Sequence, residues 1–83
     1  MLRARVYVTL KPSVFDPQGR TVHEALLALG YAPVRDVRQG KFFELTLDDT
    51  GLDAERARAL VEEAAHKLLA NPVIESYRVE LLP

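Results

Sequence analysis

Strict alternation of apolar and polar residues at the start of the chain restricts it to folds that open with a half-buried β-strand. The apolar positions are Leu2, Ala4, Val6, Val8 and Leu10, and the positions between and after them are Arg3, Arg5, Tyr7, Thr9 and Lys11. Successive side chains of a strand point to opposite faces, so the pattern predicts one dry and one wet face over residues 2–11. Pro12 ends this strand because proline has no N–H to donate to a ladder.

A helix is predicted next. Asp16 can accept the unpaired N–H groups at a helix N-terminus, and Pro17 suits the first helical position. Gly30 suits the left-handed conformation that follows the last turn of a helix. Between them, one apolar stripe is formed by Val22, Ala25, Leu26 and Leu29.

The following segment is typical of a hairpin. Val34 and Val37 mark a first strand of weak pattern, and Gln39-Gly40 supplies the turn. The second strand points Phe43, Leu45 and Leu47 inward and Phe42, Glu44 and Thr46 outward.

A second helix is predicted between Asp53, its N-cap, and Asn71-Pro72. Its apolar stripe consists of Ala57, Leu60, Val61, Ala64, Ala65, Leu68 and Leu69. Residues 73–83 complete the chain as a last strand. The order strand, helix, strand, strand, helix, strand predicts one α+β domain over residues 1–83, a βαββαβ ferredoxin-like two-layer sandwich. We expect a four-stranded antiparallel sheet of order 4-1-3-2 with both helices on one face.

Composition narrows the function classes. The chain has no cysteine, which removes disulfides, thiolate nucleophiles and cysteine-zinc sites. It has 11 Lys plus Arg against 12 Asp plus Glu, so no charge excess favours binding to nucleic acid or to a membrane surface. No apolar run approaches the roughly 18 residues that span a bilayer, and arginines interrupt the start where a signal peptide would be apolar. We expect a soluble cytoplasmic protein.

No catalytic constellation is visible. Ser13 falls in a turn and Ser76 in a strand, and neither has a G-x-S-x-G context. His23 and His66 each stand alone on a helix, without metal-ligand spacing. We therefore predict no catalytic, cofactor-binding or metal-binding residue in this chain.

The acidic pairs and the glycines have structural explanations. Glu62 and Glu63 diverge by about 100° around a helix, and Asp48-Asp49 leads into a solvated turn. The four glycines, Gly19, Gly30, Gly40 and Gly51, fall at junctions between elements and form no phosphate-binding loop.

The polar face of the predicted sheet carries Tyr7 and Phe42 beside arginines, as RNA-recognition motifs do with their base-stacking aromatics. RNA binding is disfavoured because Glu44 shares that face, the net charge is −1, and the glycine typical of the third strand is absent. A protein interface, where Tyr, Phe and Arg are enriched, is the favoured interpretation.

Three motifs together resemble one family. They are K-P-x-x-x-D-P-Q-G at residues 11–19, V-R-x-G-K at 37–41 and N-P-x-I-E at 71–75. In this order and spacing they resemble the PurS family, the small subunit of phosphoribosylformylglycinamidine synthase, over residues 3–82.

The resemblance implies an assembly subunit without an active site of its own. In that enzyme, a glutaminase subunit releases ammonia, and a synthetase subunit uses ATP and magnesium to convert formylglycinamide ribonucleotide to its amidine in purine biosynthesis. The small subunit would bridge these two partners, aid ammonia transfer and form a homodimer or tetramer. The alternatives are a ferredoxin-like regulatory module that binds a small molecule and, less favoured, an RNA-binding domain.

Seven residues are candidates for the partner interface. They are Lys11, Gln18, Arg35, Arg38, Lys41, Tyr7 and Phe42. The competing interpretation is that residues 11–19 only turn a strand into a helix, and that the hairpin cations only keep a sheet edge solvated. Dimerisation is expected to join sheet edges or to extend the hairpin.

Overall fold

The computed structural model describes residues 1–48 and 50–82 and contains a three-stranded antiparallel sheet with two helices. Its elements are β1 (Leu2–Leu10), α1 (Pro17–Ala28), β2 (Gly40–Leu47), α2 (Ala54–Ala64), a π-helical turn (Ala65–Leu69) and β3 (Glu75–Leu82). Asp49 of the predicted acidic turn and Pro83 of the predicted last strand lie outside the described residues.

β1 is the central strand of the sheet, whose order is β2-β1-β3. Val6 lies opposite Phe43 of β2 and Val79 of β3, and Tyr7 lies opposite Phe42 and Arg78. Directly opposed residues share a face. The alternation of β1 therefore continues across the sheet, as the sequence predicts, with an apolar core face and a polar open face.

The core lies between the core face and α2. Ala4, Val6 and Val8 are buried against Val61 and Ala65, which follow one another at helical spacing. Apolar residues of the two edge strands pack around this cluster and stay partly exposed; they are Phe43, Leu45, Leu47, Tyr77, Val79 and Leu81.

The fourth strand, predicted at Val34 and Val37, is absent from the described residues, and the four-stranded prediction is wrong. The backbone groups of this segment bond elsewhere: the N–H of Val34 donates to Tyr31 O, and its carbonyl oxygen lies 2.7 Å from Nε2 of His23. Residues 32–39 are a connection that is tied to α1 rather than to the sheet.

The expectation that both helices cover the sheet is also wrong. α2 contacts β3, whereas α1 has at most marginal contact with the strands. Of its predicted stripe, Leu26 is half-buried, while Val22 and Leu29 are 41% and 73% exposed. The radius of gyration is 16.3 Å, against the roughly 12 Å expected of a compact chain of this length.

The helix ends are those that the sequence predicts. Asp16 and Asp53 cap α1 and α2 through their side chains. Gly30 has φ +97° and ends α1, where the N–H of Tyr31 donates to Leu26 O in a Schellman arrangement.

Candidate functional site

The three sequence motifs meet at one end of the sheet. We call the surface formed by residues 11–19, 37–41 and 71–75 the motif corner. Asp16 is its centre: Oδ1 accepts the N–H of Gly19 at 2.9 Å, and Oδ2 accepts the N–H of Gln39 at 2.7 Å. One buried carboxylate thus caps α1 and holds the second motif against the first.

Gly19 permits this close approach. A Cβ atom at this position would collide with the carbonyl oxygen of Val37 and with the carboxylate of Asp16. The helix start and the second motif can therefore touch only because this residue has no side chain.

Two side chains strengthen the contact between the first two motifs. Nη2 of Arg38 donates to the carbonyl oxygens of Lys11 at 3.0 Å and Val14 at 2.8 Å. Nε2 of Gln39 donates to Oε1 of Gln18 at 3.1 Å. Arg38 and Gln18 therefore shape the corner itself, beyond any part they play in docking.

The third motif joins through Lys41 and Glu75. Nζ of Lys41 lies 3.4 Å from the Glu75 carboxylate and donates to Leu69 O, at the end of the π-helical turn, at 3.3 Å. The same carboxylate accepts the N–H of Asn71 at 2.7 Å. The side chain of Glu75 is only 13% exposed, so this pair is shielded better than an ordinary surface ion pair.

Hydrogen bonding holds the pKa of Asp16 below its ordinary value of 3.8. The N–H of Gln39 is the largest cause, followed by the N–H of Gly19, and the charge of Arg38 acts in the same direction. The ionised carboxylate is therefore the form that the folded corner favours.

Asp16→Asn is expected to lower the midpoint of thermal unfolding by about 4–8 °C at pH 7. An amide oxygen replaces only one carboxylate oxygen, and the amide NH₂ then faces a second N–H donor. Because the folded pKa lies below the unfolded one, the contribution is present above about pH 4 and is lost as the pH falls through the folded pKa. Thermal scans at pH 7 and pH 2.5 should show the difference between the two proteins shrinking in acid.

Asp53→Asn is the matched control for this experiment. Asp53 accepts one N–H, from Arg56, and an amide oxygen can accept that bond equally well. Equal losses in the two variants would show that Asp16 is only a cap.

Two predicted cations have no hydrogen-bond or ion-pair partner for their side chains within residues 1–48 and 50–82. They are Lys11, which is half-exposed, and Arg35, which is exposed. Arg38 and Lys41, by contrast, are engaged within the chain. The three predicted hairpin cations therefore separate into two that are engaged, Arg38 and Lys41, and one free charge, Arg35. Lys11, from the first motif, is the second free charge.

Tyr7 and Phe42 lie together on the open face. Their ring centroids are 5.2 Å apart, and the guanidinium of Arg78 sits 4.2 Å from the centroid of the Tyr7 ring. Phe42 remains 53% exposed. The three side chains form one row across the sheet, which we call the aromatic row.

The neighbouring row is charged. Arg5 stands between Glu44 and Glu80, with Nε 3.5 Å from Glu44 Oε2 and Nη1 3.5 Å from Glu80 Oε1. Nε is shielded from solvent and is at ion-pair distance from Glu44, yet it makes no hydrogen bond. Such a ladder fixes the orientation of Arg5 more than it stabilises the sheet.

Sequence reasoning missed Arg78, Glu75 and the second contact of Asp16. Arg78 could have been placed beside Tyr7 only if the pairing register of β3 with β1 were known. No local sequence pattern reveals that register. The contact from Asp16 to Gln39 spans 23 residues.

The part of the chain that the structure describes holds no cluster of three His, Cys, Asp or Glu side chains able to bind a metal. Its helices are too short or too polar to cross a bilayer.

Comparisons with known proteins identify relatives over the whole chain. The family model "PurS: Phosphoribosylformylglycinamidine (FGAM) synthase" matches residues 3–83. The phosphoribosylformylglycinamidine synthase subunit PurS of Bacillus subtilis (strain 168) is 49% identical over 81 residues, which cover 98% of this chain and 93% of that protein.

Solved structures agree with the sequence match. The structure of B. subtilis PurS in its C2 crystal form is similar with a TM-score of 0.85 at 48% identity, covering 100% of both chains. A chain of the PurLQS structure from Thermotoga maritima is similar with a TM-score of 0.84 at 32% identity, covering 99% of both chains.

Proposed function

The chain belongs to the PurS family, the small subunits of phosphoribosylformylglycinamidine synthase, and we propose that it acts in that ligase as an assembly subunit. It does not act as a catalytic subunit in this proposal. It bridges the glutaminase and synthetase subunits and aids the passage of ammonia between them. ATP and magnesium are bound by the synthetase subunit. The family match favours this function over an RNA-binding domain.

The motif corner carries the proposal. Three distant segments are brought to one place by contacts that mostly involve main-chain atoms, so the corner has a fixed shape. Of the free cations, Lys11 begins the first segment, and Arg35 lies two residues before the second. A rigid surface with unpaired positive charge suits an acidic patch on a larger partner, because opposite charges orient the two bodies as they meet.

The aromatic row supplies a second surface. Phe42, Tyr7 and Arg78 combine exposed aromatic area with a cation, which is the composition of interface centres. It lies on the open face, whereas the motif corner lies at the end of the sheet. A bridging subunit needs two separate contact surfaces, and the candidates Tyr7 and Phe42 thus belong to a different surface from Lys11 and Arg35.

The protein also forms a homodimer in this proposal, through α1. The apolar stripe of α1 is largely uncovered, and so is the outer part of the core face, where Phe43, Leu45 and Leu47 remain partly exposed. A second copy that laid its α1 against this region would cover both surfaces in each chain at once. The extended shape of the single chain favours this symmetric exchange over a stable monomer.

Reconstitution of the synthase tests the assembly function. With glutamine as the nitrogen source, the glutaminase and synthetase subunits alone are expected to form at most a few per cent of the amidine that they form with this chain. Free ammonium in place of glutamine should restore the reaction without it, since dissolved ammonia bypasses the assembly. Glutamine-dependent turnover at full rate in its absence would refute the proposal.

Charge-reversal variants test the contribution of single residues to the same assembly. Lys11→Glu and Arg35→Glu should each weaken co-elution with the partner subunits about tenfold or more. Arg56→Glu is the matched control, because Arg56 is exposed as Arg35 is but lies on α2, away from the corner.

A further inference from the structure

A cavity of about 470 Å³ opens beside the motif corner, at the end of the open face. Its lining residues come from β1, β3 and the two connections that flank α1; they are Thr9, Leu10, Pro12, Asp36, Arg38 and Ser76. This volume is in the range of sites that hold small molecules. Pro12 and Arg38 belong to the motif corner, but the proposed assembly function assigns no occupant to the cavity.

Two hydroxyl groups form one wall of the cavity. Thr9 of β1 and Ser76 of β3 are directly opposed across the ladder, so their side chains lie side by side on the open face. Hydroxyls both donate and accept hydrogen bonds. Leu10 and Pro12 add apolar surface beneath them.

A fixed cation and an unpaired acid share the same cavity. Arg38 is held by the carbonyl oxygens of Lys11 and Val14, and both bonds use Nη2, which leaves Nη1 and Nε without a hydrogen bond in the described part of the chain. Asp36 has no hydrogen-bond or ion-pair partner there. One ligand that carries both a negative and a positive group would satisfy the two residues together.

We propose that this cavity binds a free α-amino acid with a polar side chain. The ligand's carboxylate meets the open side of the Arg38 guanidinium, its ammonium group meets Asp36, and its side chain bonds to the hydroxyls of Thr9 and Ser76. A phosphate-bearing ligand fits less well, because Asp36 would repel it and Arg38 is the only cation in the lining.

An NMR titration of the full chain tests the site, with glutamine as the probe because its side-chain amide both donates and accepts. Glutamine is expected to shift the backbone amide signals of residues 9–11, 36–38 and 76. N-acetylglutamine lacks the ammonium group and glutaminamide lacks the carboxylate, so each should bind at least tenfold more weakly. Absence of shifts at about 20 mM glutamine, or equal binding of the three compounds, would overturn the proposal.

Asp36→Asn should weaken glutamine binding at least tenfold while leaving the rest of the spectrum unchanged. Glu62→Gln, which removes the same charge from an exposed position on α2, should bind as the unaltered protein does. Unchanged binding by Asp36→Asn would overturn the proposed contact between the ligand's ammonium group and Asp36. The titration needs no partner, so its outcome is independent of the reconstitution experiment.

Discussion

Gly19→Ala is expected to lower the stability of the chain by about 1–3 kcal/mol, which corresponds to a fall in the unfolding midpoint of roughly 5–15 °C. The added methyl group would enter space that the carbonyl oxygen of Val37 and the Asp16 carboxylate occupy. The carbonyl oxygen is part of the main chain, and the carboxylate is bonded to two main-chain N–H groups, so neither yields easily. The helix start must therefore move away from the second motif. That movement also breaks the bond from Gln39 to Asp16.

The sign of the effect makes this prediction decisive. Gly19 lies within α1, where intrinsic helix propensity alone would make alanine more stable than glycine by about 1 kcal/mol. Ala28→Gly, at an exposed position of the same helix outside its apolar stripe, measures that propensity without touching the proposed dimer contact and should destabilise by no more than this amount. Thermal unfolding of the two variants side by side therefore separates packing from propensity. A gain of stability in Gly19→Ala would mean that the motif corner is loosely held.

Val22→Glu is expected to convert a dimer to a monomer at tens of micromolar protein, raising the dimer dissociation constant at least a hundredfold. The change puts a charge in the middle of the apolar stripe of α1, and burying an unpaired carboxylate against Phe43 and Leu45 of a second copy costs several kcal/mol. The monomer should keep its fold, because Val22 is already 41% exposed within one chain. Light scattering after size-exclusion chromatography should then report the 9.3 kDa of one chain.

Leu27→Glu is the matched control on the same helix. Leu27 is exposed to a similar extent but lies about 140° around α1 from Val22, outside the stripe. It should remain dimeric, with an unchanged far-ultraviolet circular dichroism spectrum in both variants. A monomeric unaltered protein, or a dimer that survives Val22→Glu, would contradict the α1 exchange.

The sequence predicts the local structure of this chain well. The alternation around Val6 defines β1 and its buried face, and the capping residues Asp16 and Asp53 mark where both helices begin. These features depend on neighbours within a few positions, where period and cap chemistry are direct signals. The stripe predicted for the second helix likewise includes the core residues Val61 and Ala65, although Leu60 and Leu68 of the same stripe are exposed.

The arrangement between elements was predicted less well, for two physical reasons. Val34 and Val37 offered too little pattern to distinguish a strand from a connection. The contact of Asp16 with Gln39, which holds this segment beside the start of α1, spans 23 residues. An amphipathic helix shows that it must bury a face but not against which chain. The stripe of α1 was therefore wrongly placed on the sheet of its own chain.

For the candidate interface, the sequence names residues but does not show what their side chains contact within the chain. Tyr7 and Phe42 were expected on the open face and lie there as a tilted pair of rings in contact. Arg38 and Lys41 were grouped with Arg35 as hairpin cations, since free and engaged charges look alike in a sequence. Only the fold shows that two of them bind carbonyl oxygens.

The motif corner is fastened largely through atoms that every amino acid possesses. The carbonyl oxygens of Lys11, Val14 and Leu69 and the N–H groups of Gly19 and Gln39 supply most of its bonds. Many side chains around it are consequently free to be exchanged without loosening the frame. Such a surface can adapt to a changing partner through substitution of its exposed side chains, while the main-chain framework beneath them keeps its shape.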